Sequence, residues 1–310
     1  MQTIKSVYFI GAGGIGMSAL ERYFLSQSLF VGGYDRTETP LTKELIREGA
    51  DIHYTDDVDA IPQACRDPQT TLVVYTPAVP KDHHELTWFR QAGFEVKKRA
   101  EVLGYLTRQM KGLCVAGTHG KTTTTAMAAH LLHESHVGCN AFLGGIAKNY
   151  ATNYLLDNNS DFVVIEADEF DRSFHHLQPY ASVITSTDPD HLDIYGTKEA
   201  YLESFTHYTS LIRPDGALIV HKDVKFEEAL PTGTRRFDYG RDVGDFHAEN
   251  IRIGGGRVCF DLISPLGNIS AIELGVPVSI NIENGIAAIA LAQIAGATPD
   301  KIREGMKTFQ

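Results

Sequence analysis

The chain alternates short apolar runs with amphipathic stretches from its first residues onward. Ser6 to Ile10, Leu29 to Tyr34 and Leu72 to Thr76 are continuous apolar runs, the pattern of strands buried on both faces of a parallel sheet. With segments 51–54 and 94–97 they predict five strands, separated by helices over 15–27, 41–48, 83–92 and 100–108. Such alternation implies a Rossmann-like parallel-sheet domain, placed at residues 1–108.

A second unit is expected over 109–310. It opens with the run Leu113 to Ala116, and a helix pattern follows Lys121. Apolar runs at 162–168, 181–187 and 217–221 predict further strands, with a helix from Lys198 to Ile212. From Arg235 to Val278 the segments become short and glycine-punctuated, which reads as an antiparallel β extension to an α/β central domain. Ser279 to Ala295 is helical, and Thr298-Pro299 opens one more helix reaching Phe309.

Composition narrows the function without naming it. A formal net charge of −11 argues against nucleic acid as a main partner. The four cysteines show no CxxC spacing and no apolar run reaches membrane length. These features, with an N-terminus that lacks a signal-peptide layout, predict a cytoplasmic protein.

Two glycine loops carry the chemistry. The run ending at Ala116 leads into Gly117-Thr118-His119-Gly120-Lys121-Thr122-Thr123 and then a helix. Glycines let backbone N–H groups close around a polyphosphate, the helix N-terminus adds its positive end, and an exposed lysine is expected at the β/γ-phosphates. Val115 stands where the first glycine of the usual GxxxxGK[ST] loop would be, so this loop is shorter. Near the N-terminus, Gly11-Ala12-Gly13-Gly14-Ile15-Gly16 is a GxGxxG between a strand and a helix, with Asp35 ending the next run. Spacing alone gives the dinucleotide fingerprint, Asp35 meeting a ribose hydroxyl. The physics specifies only a diphosphate, however, so NAD is one ligand among several. Thr76-Pro77-Ala78 ends the fourth strand at the edge where ligands of such sheets collect.

Acidic residues cluster at two further strand ends. Glu166 and Asp168 would share a strand face with Glu169 pointing away, so either of the first two could hold Mg²⁺ beside a phosphate loop. Asp188-Pro-Asp190-His191-Leu-Asp193 could complete a divalent-metal site or bind phosphate, or be a turn and a helix cap.

With these residues assembled, the chain resembles the Mur ligases of peptidoglycan synthesis over essentially its whole length. Gly117-Thr-His-Gly-Lys-Thr-Thr-Thr-Thr, Glu166-Ala-Asp-Glu-x-Asp, Ser173-Phe-x-His-Leu-x-Pro179 and Asp190-His191-Leu-Asp193 carry the resemblance, in family order and spacing. It implies ATP-dependent amide formation between the lactyl carboxylate of UDP-N-acetylmuramate and the amine of L-alanine, through an acyl phosphate. By resemblance the loop from Gly11 to Gly16 binds the UDP-sugar diphosphate and not NAD, with Asp35, Thr76, Ala78 and His175 around that substrate. The loop from Gly117 to Thr123, with Asn281 and Asn284, is implied to contact ATP. Lys121, His119, Glu166 and His191 are the implied catalytic set, Thr122 and Glu166 binding one Mg²⁺ and His191 a second.

The chain departs from the family pattern in three ways. Ile280 occupies the histidine position of the HNxxN motif. Lys198 lies at the wrong distance from His191 to be the carbamylated lysine of other members. The family continues with a third, Rossmann-like domain that helps bind ATP and the amino acid, beginning just after the position of Phe309. The chain is therefore expected to be a fragment of the first two domains, inactive alone. Three readings from other classes stay open: a ligase that attaches a recovered peptide to the same UDP-sugar, an NAD-dependent dehydrogenase that leaves Lys121 idle, and a non-catalytic nucleotide-binding regulator.

Overall fold

The structure is a computed structural model that describes residues 4–80, 82–190 and 192–310. It divides into two compact units, one ending at Leu103 and the other running from Gly104 to Gln310.

Unit 1 is a five-stranded sheet of β1 (Ser6–Ile10), β2 (Phe30–Tyr34), β3 (Asp51–His53), β4 (Thr71–Tyr75) and β5 (Glu95–Lys98). Its order is β3-β2-β1-β4-β5, with every pairing parallel. All five residues of β1 are buried, as a central strand with both faces covered requires. The connecting helices are α1 (Ile15–Ser26), α2 (Pro40–Glu48) and α3 (His84–Gln91). Thr39 and Thr42 form a reciprocal capping box at the start of α2, and Gly49 ends it at φ 117°. Two 3₁₀ turns, Val58–Ala60 and Gln63–Cys65, fill the β3–β4 connection. Helix α4 (Arg99–Gln109) follows β5, and the division between the units falls inside it.

Unit 2 is built on a seven-stranded sheet, ordered β12-β11-β10-β6-β9-β7-β8. Its strands are β6 (Lys111–Ala116), β7 (Asn140–Ala147), β8 (Thr152–Leu155), β9 (Phe162–Ala167), β10 (Ala181–Ile184), β11 (Ala217–His221) and β12 (Arg235–Tyr239). Only β8 runs antiparallel. Helix α5 (Lys121–His133) follows β6, then come α6 (Leu192–Tyr195), α7 (Lys198–Ser210), α8 (Asn281–Ala295) and α9 (Pro299–Thr308). α5 and α8 share one core with the sheet, through residues such as Met127, Leu131, Ile286 and Ile289.

Two expectations change here. Residues 235–239 belong to the main sheet as a parallel edge strand, because Arg235 to Tyr239 registers against Ala217 to His221. Only β13 (His247–Gly254), β14 (Arg257–Ile263) and β15 (Ile269–Glu273) form the antiparallel sheet. Strands β7 and β8 have no counterpart in the pattern reading. β7 carries Gly144-Gly145 within its apolar run, and β8 has only four residues, so neither shows a clean period.

Candidate functional site

The phosphate loop sits where central strand β6 meets α5. Gly117 has φ +125°, and a Cβ there would lie 2.3 Å from Thr185 Oγ1 and 2.8 Å from the Ser186 backbone. Glycine is obligatory at this point. Gly120 caps α5 at φ +80°. The loop is laced to the segment after β10: the N–H of Thr118 donates to Ser186 O at 3.2 Å, and that of His119 to Ser186 Oγ at 2.9 Å. Thr118 Oγ1 donates to Asp188 O at 2.7 Å and lies 2.8 Å from the Tyr201 hydroxyl.

Lys121 departs from the exposed, mobile cation read from the sequence. It is the first residue of α5 and its side chain is only 13% exposed. Nζ donates to Gly117 O at 2.7 Å and to both oxygens of Glu169 at 2.9 and 2.8 Å. Glu169, expected to point away, is 1% exposed and closes on the loop. The chain turns just past β9, where Asp168 Oδ1 accepts the N–H of Phe170, and Asp171 and Arg172 both adopt positive φ.

Thr122 and Glu166 do meet. The hydroxyl donates to the carboxylate oxygens at 3.0 and 3.2 Å. A Cβ on Gly144 would stand 2.3 Å from Glu166 Oε2, so the β7 glycines give this carboxylate its room. A hydroxyl and a carboxylate are hard oxygen donors, the set Mg²⁺ takes beside a phosphate. Among the described residues no three His, Cys, Asp or Glu side chains are grouped to hold a metal. His191 lies outside the described residues.

The remaining residues of unit 2 fall around the loop or beside it. Asn281 is buried and donates to Val276 O, while Asn284 Nδ2 donates to Asn281 Oδ1. Asn284 Oδ1 would be 2.9 Å from a Cβ on Gly120, so this asparagine lies against the loop. His119 is 73% exposed and 3.8 Å from Asp188. It lines a cavity of about 310 Å³ together with Gly120, Ser186, His221, Glu283 and Asn284. Ile280 lines the same cavity. His175 sits apart from these, with Nε2 at 2.9 Å from the Ser204 hydroxyl. Burial pushes its pKa down to about 4, so the ring is neutral at pH 7. Thr123 follows Thr122 in the first turn of α5.

In unit 1 the glycine loop runs from β1 into α1. Gly11 has φ +90°, and the N–H groups of Gly11 and Ala12 both donate to Tyr34 O. Gly13 N–H donates to Asp35 Oδ2 at 2.7 Å, and Thr37 N–H to Oδ1 at 3.0 Å. Asp35 therefore holds the loop, with lone pairs left for a hydroxyl. Gly14 caps α1 and Ile15 is exposed. A Cβ on Gly16 would fall 1.6 Å from Arg99 Nη1, so the missing side chain leaves a guanidinium against the start of α1. A cavity of about 580 Å³ opens here, lined by Gly11, Gly14, Asp35, Thr76, Ala78 and His83 among others.

Unit 1 also holds a largely buried polar chain next in sequence to the lining residues Asp56 and His84. Tyr8 donates to Glu85 at 2.7 Å and is 2.7 Å from His53 Nε2, and Asp57 N–H donates to Glu85 at 3.2 Å. Glu85 is fully buried, and desolvation pushes its pKa up to about 7.

The Mur ligase family catalytic-domain model matches residues 6–111, and the Mur ligase middle-domain model matches 115–292. UDP-N-acetylmuramate–L-alanine ligase from Phocaeicola vulgatus is 67% identical over the whole chain, which spans 68% of that protein. The crystal structure of UDP-N-acetylmuramate-alanine ligase MurC from Thermotoga maritima superposes with a TM-score of 0.82 at 27% identity, over 98% of this chain and 68% of that one. A UDP-N-acetylmuramate:L-alanyl-gamma-D-glutamyl-meso-diaminopimelate ligase from Neisseria meningitides shares the fold, with a TM-score of 0.84 at 22% identity over 99% of both chains.

Proposed function

The chain belongs to the Mur ligase family, and from that premise we propose that it serves the ATP-dependent joining of L-alanine to UDP-N-acetylmuramate. The observation that carries this reading is the Thr122–Glu166 pair, a hydroxyl on a carboxylate at the mouth of a phosphate loop. A dehydrogenase has no use for that pair.

The division of labour follows the two units. In unit 1 the start of α1 and Arg99 present positive charge to the UDP-sugar diphosphate, with Asp35 fixing the loop through Gly13. In unit 2 the loop from Gly117 to Thr123 receives the ATP phosphates, and Lys121 bears on the β/γ-phosphates. A lactyl carboxylate oxygen attacks the γ-phosphorus and the bond to ADP breaks. The alanine amine then attacks the acyl carbon, and phosphate leaves. Two anions must meet in the first step, so fixed positive charge is the main requirement. Thr122 and Glu166 would hold a Mg²⁺ ion, which supplies Lewis-acid neutralisation of the phosphate oxygens. His119, exposed beside the loop, is placed to contact substrate. The nucleotide substrates and four unpaired cysteines suit the cytoplasm. No described helix is long and apolar enough to cross a membrane.

Titration calorimetry tests the reading. The chain should bind UDP-N-acetylmuramate and Mg²⁺-dependent ATP, and not NADH. Micromolar NADH binding with no response to the UDP-sugar overturns it. Where ligation is assayed, faster turnover of a recovered tripeptide than of L-alanine would reassign the amine substrate.

A further inference from the structure

The ammonium of Lys121 has three N–H donors, and three oxygens already take them: Gly117 O, Glu169 Oε1 and Glu169 Oε2. A phosphate can reach this lysine only by displacing one of them. Glu169 is 1% exposed, and a buried carboxylate stripped of its cation is strongly disfavoured. The Gly117 carbonyl is half of no ion pair and is the contact to give up. Lys121 should therefore stay on Glu169 while it turns toward the nucleotide.

Glu169 is itself held in place. The Tyr195 hydroxyl donates to its backbone oxygen at 2.5 Å. The consecutive positive φ values of Asp171 and Arg172 fold the next residues back, with Arg172 N–H donating to Glu169 O. Non-glycine residues adopt such backbone only where surrounding structure enforces it. The Arg172 guanidinium lies over the Tyr195 ring at 4.7 Å, which ties this turn to α6.

We propose that Glu169 is a positioning residue that fixes the Lys121 ammonium in the phosphate loop and, by its charge, sets how tightly the loop takes a nucleoside triphosphate. The inference rests on the ATP-binding reading above. A carboxylate within 3 Å of Nζ neutralises much of the ammonium's pull on an incoming polyphosphate as well as orienting it, so Glu169 weakens nucleotide binding by way of the lysine. Affinity is thereby given up for position.

The test is calorimetric titration of ATP with Mg²⁺ into the wild-type chain, Glu169→Gln, Glu169→Asp, Lys121→Met and the Lys121→Met/Glu169→Gln double variant. Melting curves establish that each is folded. Glu169→Gln should bind ATP about tenfold more tightly, since the ammonium is no longer neutralised by its partner while hydrogen bonding remains. Glu169→Asp, which draws the charge back by one methylene, should tighten binding by about two- to threefold. In the Lys121→Met background the Glu169→Gln gain should vanish, because the effect acts through the lysine. A merely structural role would persist in both backgrounds. Equal affinity of wild type and Glu169→Gln overturns the proposal, as does an unchanged gain without Lys121. If Glu169→Gln does not fold, Glu169→Asp decides: affinity equal to or weaker than wild type overturns it. Wild-type protein that binds ATP while these variants do not differ sinks this inference alone. Wild-type protein that fails to bind ATP sinks the ligase reading with it.

Discussion

Lys121 shows how one residue can answer to both stability and ligand binding. A lysine on an exposed loop could be removed at almost no expense to the fold. Here its partner Glu169 is buried, so Lys121→Ala leaves a carboxylate uncompensated. We expect that variant to lose about 3 kcal/mol of stability as well as its ATP affinity. Denaturant melts would show it, and adding Glu169→Gln should restore most of the stability while leaving ATP affinity low. A Lys121→Ala protein as stable as wild type would mean that the pair contributes nothing.

At the scale of elements, glycines decide how closely helices and loops approach. Gly16 in α1 and Gly104 in α4 both lack room for a Cβ, but their obstacles differ. At Gly16 the obstacle is the Arg99 guanidinium at 1.6 Å, the end of a flexible side chain. At Gly104 it is the His176 carbonyl at 2.1 Å, which is backbone. Gly16→Ala should displace the guanidinium, weaken UDP-sugar binding about tenfold and change stability by less than ~1 kcal/mol. Gly104→Ala should destabilise by about 2–3 kcal/mol with little effect on the UDP-sugar affinity of the folded protein. Calorimetry and melting of the two variants check this, and the reverse ranking would overturn the assignment of Arg99 to the diphosphate.

At the scale of the whole molecule, the two units should respond separately to ligands and to pH. Hydrogen exchange should show UDP-N-acetylmuramate protecting amides near 11–16 and 76–80, and ATP protecting those near 117–125. Protection by ATP confined to unit 1 would exchange the two assignments. The pH response belongs to unit 1 through Glu85. Its folded pKa is raised from the ordinary 4.5 to about 7, so between these values the folded state keeps a proton that the unfolded state has lost. Stability from this group therefore falls as pH rises from about 4.5 to 7 and stays low above, by about 3 kcal/mol. Half-buried His53 and buried His83, whose pKa values are lowered by desolvation, push the other way: they favour folding as pH rises to about 6.5. The difference between wild type and Glu85→Gln isolates the carboxyl. Glu85→Gln should gain stability relative to wild type across that window, and parallel pH profiles would show that Glu85 does not titrate there.

The sequence by itself determined both strand–loop–helix junctions, because each is local. Glycines, cap and apolar run lie within twenty residues, and the backbone needs nothing distant to adopt them. The strand pattern left Glu166 and Asp168 equal as metal ligands, and only the family resemblance paired Thr122 with Glu166. Tertiary structure alone decided the rest. Residues 235–239 became a parallel edge strand because Ala217 to His221 offered a free edge, which no local pattern encodes. Gly144 gained its meaning only from the Glu166 carboxylate across the neighbouring strand. Strand alternation placed Glu169 facing away, and it would have done so had the strand continued. β9 ends at Ala167 instead, and the turn through Asp171 and Arg172 swings Glu169 back onto Lys121, 48 positions earlier in the chain. Periodicity carries information only while the regular element lasts, and contacts made past its end are fixed by packing.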